Sequence, residues 1–136
     1  MGKAINTQEL PANVKVGLGQ IDDHHAKVFA LIDQLASDQL DDITSERFSS
    51  LYEKFFEAVK DEFKEEEKLM LESEISVTPH MEEHISEHSR LLGRIYDVLF
   101  DAMHQDRIPV TTICQMLRAD MQEHIERYDM PTFQAT

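Results

Sequence analysis

Six ionisable residues stand where a helical core calls for leucine or isoleucine: His25, Glu62, Glu66, His84, His88 and His124. Each falls on an apolar stripe whose members recur every three or four residues, the period of one helix face. Glu62 and Glu66 are four apart, as are His84 and His88, so each pair projects from a single face about one turn apart. Burying an unpaired carboxylate costs several kcal/mol even after relaxation, and four imidazoles need partners as well. Together these costs exceed the ~5–15 kcal/mol by which a domain is stable, so something must compensate them. Transition-metal coordination satisfies imidazoles and carboxylates together. That mixture suits iron or manganese, and the absence of thiolate among the candidates argues against a structural zinc site.

Four apolar-periodic segments carry these residues. The first bears Ile21, His25, Val28, Ile32 and Leu35. The second, with Thr44 or Ser45 as a plausible N-cap, bears Phe48, Tyr52, Phe55, Val59, Glu62, Glu66 and Leu69. The third opens at Thr78-Pro79, an N-cap followed by proline at the first helical position, and bears Met81, His84, His88, Leu91, Ile95, Val98 and Ala102. The fourth opens near Pro109, bears Val110, Ile113, Leu117, Met121, His124 and Tyr128, and stops at Pro131. The spacing predicts helices over about 22–37, 45–72, 79–104 and 110–130, after a weakly periodic arm of about residues 1–20. Short connections suit antiparallel neighbours, so the expected fold is all-α: an up-down-up-down four-helix bundle. In that topology the starts of the first and third helices lie at the same end as the finishes of the second and fourth. All six ionisable residues then meet at one end of the bundle, as a dinuclear transition-metal site does.

Asp129 lies five residues after His124, about 140° around a regular helix, and so off the stripe. It also lies two residues before Pro131, where a helix must end or unwind, and a bent final turn could swing its carboxylate inward. The other histidines read differently: His80 as solvated, His104 as surface, and His24 as exposed or supporting rather than ligating. Of Glu65, Glu66 and Glu67 only Glu66 is expected to turn inward. Phe48, Phe55, Phe56 and Phe63 read as core, and Cys114 as an inert buried thiol. Met121, one turn before His124, either walls a pocket for a gas or simply packs.

Composition narrows the function classes. A chain of 136 residues argues for one domain, 1–136. Against 27 Asp plus Glu stand 13 Lys plus Arg, a net charge of −14 that repels phosphate backbones and anionic headgroups, so nucleic-acid and membrane-surface binding are not expected. The longest apolar run, Val28–Ile32, is far short of the ~20 residues a membrane span needs. The opening MGKAINTQEL lacks an apolar stretch of signal-peptide length, and the single cysteine permits no intrachain disulfide, so a cytoplasmic protein is expected. At 41 % hydrophobic residues the chain can close a core.

The motifs together resemble the hemerythrins, in particular the single-domain bacterial ones. The first helix of that family reads roughly G-[VI]-x-x-I-D-x-Q-H, and Gly17-Leu18-Gly19-Gln20-Ile21-Asp22-Asp23-His24-His25 is similar to it. The second reads H-F-x-x-E-E-x-x-M, which here is Glu62-Phe63-Lys64-Glu65-Glu66-Glu67-Lys68-Leu69-Met70. The third, Y-P followed by H-x-x-x-H, is matched by Thr78-Pro79 and His84-Ile85-Ser86-Glu87-His88. The fourth, W-L-x-x-H-[IL]-x-x-x-D, is matched by Asp120-Met121-Gln122-Glu123-His124-Ile125-Glu126-Arg127-Tyr128-Asp129. Each fragment alone is weak; four in order at bundle-compatible spacing, from Gly17 onward, are strong.

The resemblance implies a non-haem diiron centre, with two irons bridged by one Glu, one Asp and an oxo or hydroxo group. Carried onto this sequence, Glu66 and Asp129 are the bridges, and His25, His84, His88 and His124 are terminal ligands. The family's fifth histidine is absent: its position holds Glu62, with water or His24 as the rival occupants of that coordination position. Asp120 stands at the tryptophan position, Met121 at the leucine that lines the oxygen pocket, and the loop between Met70 and His84 is about three residues longer than usual. The function implied is binding of O2 for storage, delivery or sensing, with a redox partner possible and the oligomeric state open. Because Glu62 makes the site carboxylate-rich, an O2-activating oxidase, a peroxidase or a nitric oxide-handling enzyme is the alternative. A third reading is a binding module holding manganese, zinc or mixed metals.

Overall fold

The computed structural model describes residues 17–37, 46–72, 79–104 and 109–134. Among them run four long helices: α1 (Gly19–Ser37), α2 (Glu46–Glu72), α3 (Pro79–His104) and α4 (Val110–His124). A π turn (Ile125–Asp129) and a short helix α5 (Met130–Gln134) continue α4. The described residues contain no strand. The expected arm of about residues 1–20 is described only from Gly17, and α1 already begins at Gly19, earlier than expected. The proposed caps at Thr44, Ser45 and Thr78 and the loop after Glu72 lie outside the described residues.

α1 packs against α2 and α4, and α3 packs against the same two, which makes a four-helix bundle. The core follows the stripes. Phe48, Phe55 and Phe63 of α2 are fully buried with Ile21, Ile32 and Leu35 of α1, Leu91 and Ile95 of α3, and Ile113, Leu117 and Met121 of α4. Phe56 is only half-buried, packed against the edge of this core. The Tyr52 hydroxyl donates to the Ile95 carbonyl at 2.6 Å, joining α2 to α3 where two apolar faces would otherwise fix no register. Asp120, at the tryptophan position, takes an ion pair from Arg94 at 2.7 Å and so ties α4 to α3. No helix among the described residues is long and apolar enough to cross a membrane.

Both ends of the chain's helical run are shaped to serve the buried site. Gly17 has φ +92°, the left-handed region that a side chain disfavours, and its N–H donates to the Asp22 carboxylate at 3.1 Å. That bond closes the chain onto the first turn of α1, three residues before His25. At the other end the helix does not stop at Pro131. Proline removes an N–H from the i→i−4 ladder and its ring crowds the preceding turn. Here the ladder widens one turn earlier, with the Met130 N–H bonded to the Ile125 carbonyl, and the helix resumes beyond it.

Candidate metal centre

The structure brings all seven candidate ligands together. His25 comes from the first turns of α1, Glu62 and Glu66 from the last turns of α2, His84 and His88 from the first turns of α3, His124 from the end of α4 and Asp129 from the π turn. Each is at most 2 % exposed. Asp129 reaches the cluster because, in the π turn, the residue five on rather than four completes the turn. The carboxylate that a regular helix would hold about 140° away therefore lies over His124. Its Oδ1 is 3.1 Å from His124 Nε2.

The donor atoms form two groups that share Glu66 and Asp129: His84, His88, His124, Glu66 and Asp129 in one, His25, Glu62, Glu66 and Asp129 in the other. The shared carboxylates present different oxygens to the two groups. Glu66 Oε1 lies 3.1 Å from His84 Nε2 and 2.9 Å from His88 Nε2, and Asp129 Oδ1 lies 2.9 Å from His84 Nε2. On the opposite side Asp129 Oδ2 is 2.9 Å and Glu66 Oε2 is 3.7 Å from His25 Nε2, which Glu62 Oε1 approaches to 2.7 Å. Adjacent donors on an octahedral ion with bonds of about 2.1 Å lie about 3.0 Å apart, the spacing most of these pairs show.

Whether the residues fit a metal pair is tested by what their polar atoms lack. Both oxygens of Glu62, Glu66 Oε2 and both ring nitrogens of His124 are buried without a hydrogen-bond partner. Glu62 Oε1 and His124 Nε2 are close to neighbours but not aligned with them as hydrogen bonds require. Orphaned buried acceptors cost about 1–3 kcal/mol each, more when charged. Within each donor group the ligand atoms lie within 4.8 Å of one another, close enough for one cation to satisfy them together. The donor set fits.

A second layer holds two of the imidazoles by their other nitrogen. His84 Nδ1 is 2.8 Å from Thr132 Oγ1, and His88 Nδ1 is 2.8 Å from Glu67 Oε2. With Nε2 turned to the cluster, Nδ1 carries the proton and donates, which fixes ring orientation and raises the basicity of Nε2. Phe63 stacks on His88 with centroids 4.0 Å apart, and Tyr128 stacks on His124 at 5.5 Å. Sequence reasoning missed these supports. Glu67 is not simply part of a solvated acidic face, because it reaches back to His88. His80 is half-buried rather than solvated, with Nε2 3.2 Å from the same Thr132 hydroxyl oxygen. Thr132 lay beyond the expected end of the fourth helix. His24 is half-buried and outside both donor groups. Met121 is buried on the inward stripe of α4, and Cys114 is buried, with burial pushing its thiol pKa up. The His104 side chain is outside the described residues.

Electrostatics show what the cage does in the absence of a cation. Burial alone would push the His25 imidazole down, but the charge of Glu62 and the hydrogen bond to Asp129 hold it well above its ordinary value. His124 is likewise disfavoured by burial, yet Asp129 and Glu66 raise it to about 10. Burial raises the Glu62 carboxyl to about 8 against the pull of His25. Glu66 is buried too, but the imidazoles around it hold it well below the usual carboxylate range. The upward shifts of His25 and His124 and the downward shift of Glu66 share one cause, a buried carboxylate core that calls for positive charge, which a metal cation would supply.

A bundle of four helices closed around a buried cage of imidazoles and carboxylates defines a class of metal-binding helical proteins. The chain belongs to the hemerythrin family: the Hemerythrin HHE cation binding domain matches residues 16–135. No curated protein and no solved structure matches it significantly.

Proposed function

We propose that this protein is a single-domain, hemerythrin-type, cytoplasmic O2-binding protein that holds two iron ions for storage, delivery or sensing of the gas. The observation that carries the reading is the division of oxygens: Glu66 and Asp129 each offer one oxygen to either donor group, the arrangement of two bridging carboxylates. His84, His88 and His124 would hold one ion, and His25 with Glu62 the other. Two adjacent ferrous ions would supply the electrons that make O2 binding favourable. The protein's part is to keep the pair dry and fixed: Phe63 stacks beneath His88, Tyr128 covers His124, and Met121 walls the interior one turn before His124. Anaerobic reconstitution with iron(II), followed by air, tests this. A visible charge-transfer band that appears with air and vanishes on degassing, through repeated cycles, is the expected result; absence of iron uptake overturns it.

Glu62 favours a second reading, in which the same site activates O2. Its carboxylate points into the His25 side of the cage, and carboxylate-rich dimetal sites in bundles are those associated with O2 activation. Under that reading the band bleaches at once and added reductant is consumed with turnover.

A further inference from the structure

The two donor groups differ in kind. Three imidazole nitrogens, from His84, His88 and His124, meet on one side, and a single imidazole, His25, meets Glu62 on the other. The shared carboxylates contribute to both, so the first position is nitrogen-rich and the second is dominated by oxygen. The two are also held differently. Thr132 and Glu67 anchor two of the three imidazoles through Nδ1, whereas neither oxygen of Glu62 has a hydrogen-bond partner.

Building on the dinuclear reading above, we propose that the two metal positions are unequal: the three-imidazole position fills first and selects iron(II), and the Glu62 position fills second and accepts manganese(II) in its place. The reasoning is one of donor chemistry. At any nitrogen–oxygen site iron(II) binds more tightly than manganese(II), but imidazole suits iron while carboxylate suits manganese. Replacing two of three imidazoles by a single carboxylate therefore narrows the advantage of iron. Ring orientations fixed by Thr132 and Glu67 preorganise the first position, so less ordering accompanies binding there. Glu62, close to His25 but with neither oxygen hydrogen-bonded from outside the cage, can present one oxygen or two, which tolerates the less demanding ion.

The decisive experiment loads metal-free full-length protein anaerobically with one equivalent per chain each of iron(II) and manganese(II), so that iron taken up by the first position leaves manganese for the second. Elemental analysis then follows desalting, and anomalous diffraction at the iron and manganese edges locates each ion in crystals. Iron at the His84–His88–His124 position and manganese enriched at the His25–Glu62 position is the expected result. Given a single equivalent of iron(II) alone, the first position should fill before the second. In Glu62→His, the manganese-to-iron ratio at the second position should fall roughly tenfold, because an imidazole restores the preference for iron. Glu62→Gln, which keeps the size of the side chain, should leave the first position filled and the second depleted of both ions. Iron equally in both positions of the unaltered protein, or manganese spread evenly over the two, overturns the inequality while leaving the dinuclear reading intact. Failure to take up either ion overturns both.

Discussion

Glu62 adds a charge at a position where a histidine would add none. A third carboxylate lowers the net charge at a ferrous pair by one, and an anionic oxygen donor favours the ferric state more than a neutral imidazole does. Glu62→His should therefore lengthen the life of the air-induced absorption of the iron-loaded protein; an equal or shorter lifetime counts against this role. The shared carboxylates make a different forecast. On the dinuclear reading, His25→Ala removes a donor from one group only, so metal content should fall from two ions per chain toward one. Glu66→Gln removes charge from both groups at once and should take the content below one. Elemental analysis of the two variants side by side decides it, since equal losses would mean that Glu66 serves one position alone. Much at this scale was legible without coordinates: His25, Glu62, Glu66, His84, His88 and His124 announce themselves because a charged group on an apolar stripe needs a reason. Glu67 gave no such signal, because a carboxylate that is half in water looks like any other surface acid.

The π turn and α5 are the element on which regular periodicity fails. A 3.6-residue period places Asp129 off the inward face, and a proline two residues later signals an end. The wide turn supplies the bend expected to swing Asp129 inward, placing it over His124, and reverses only the second signal, letting the helix run on to deliver Thr132 to His84. The stripes of α1 to α3 were readable because their inward faces repeat over several turns, which a single π turn does not. Thr132→Val, nearly isosteric but without the hydroxyl, should weaken metal binding at the three-imidazole position by about 10–100-fold, the usual effect of losing such a support. Thr132→Ser should retain it. The metal-free melting temperatures of both variants should stay close to that of the unaltered chain, since Thr132 is half-buried at the periphery. Equal metal affinities in the Val and Ser variants would remove Thr132 from the site. The half-buried His80, 3.2 Å from the same hydroxyl oxygen, is the remaining partner that keeps α5 against the start of α3.

For the molecule as a whole, cations and protons compete for one cage inside a chain of net charge −14. In the metal-free protein His124 is raised to about 10, and His25 and His84 are raised too. Groups whose pKa is higher in the fold stabilise it fully below their ordinary value, about 6.5 for histidine, and lose that contribution as pH rises through the folded value. Glu62, raised to about 8 by burial, acts in the same direction, because ionising it inside the core is unfavourable. Glu66, held well below the usual range, contributes above the ordinary carboxylate value and loses its contribution only in acid. Between about pH 6.5 and 10 the metal-free protein should thus melt at progressively lower temperature. Metal ions need the imidazoles unprotonated, so their apparent affinity rises over the same interval and their binding releases protons. At a free-ion concentration 100 times Kd a ligand that binds only the folded state adds about 2.7 kcal/mol, and that margin grows as Kd falls. The gap in melting temperature between metal-loaded and chelator-treated protein should therefore widen from pH 6.5 to 8.5, with proton release on loading measurable in weakly buffered solution. A gap that stays constant across that range, or loading without proton release, would show that the imidazoles are not where the cations sit.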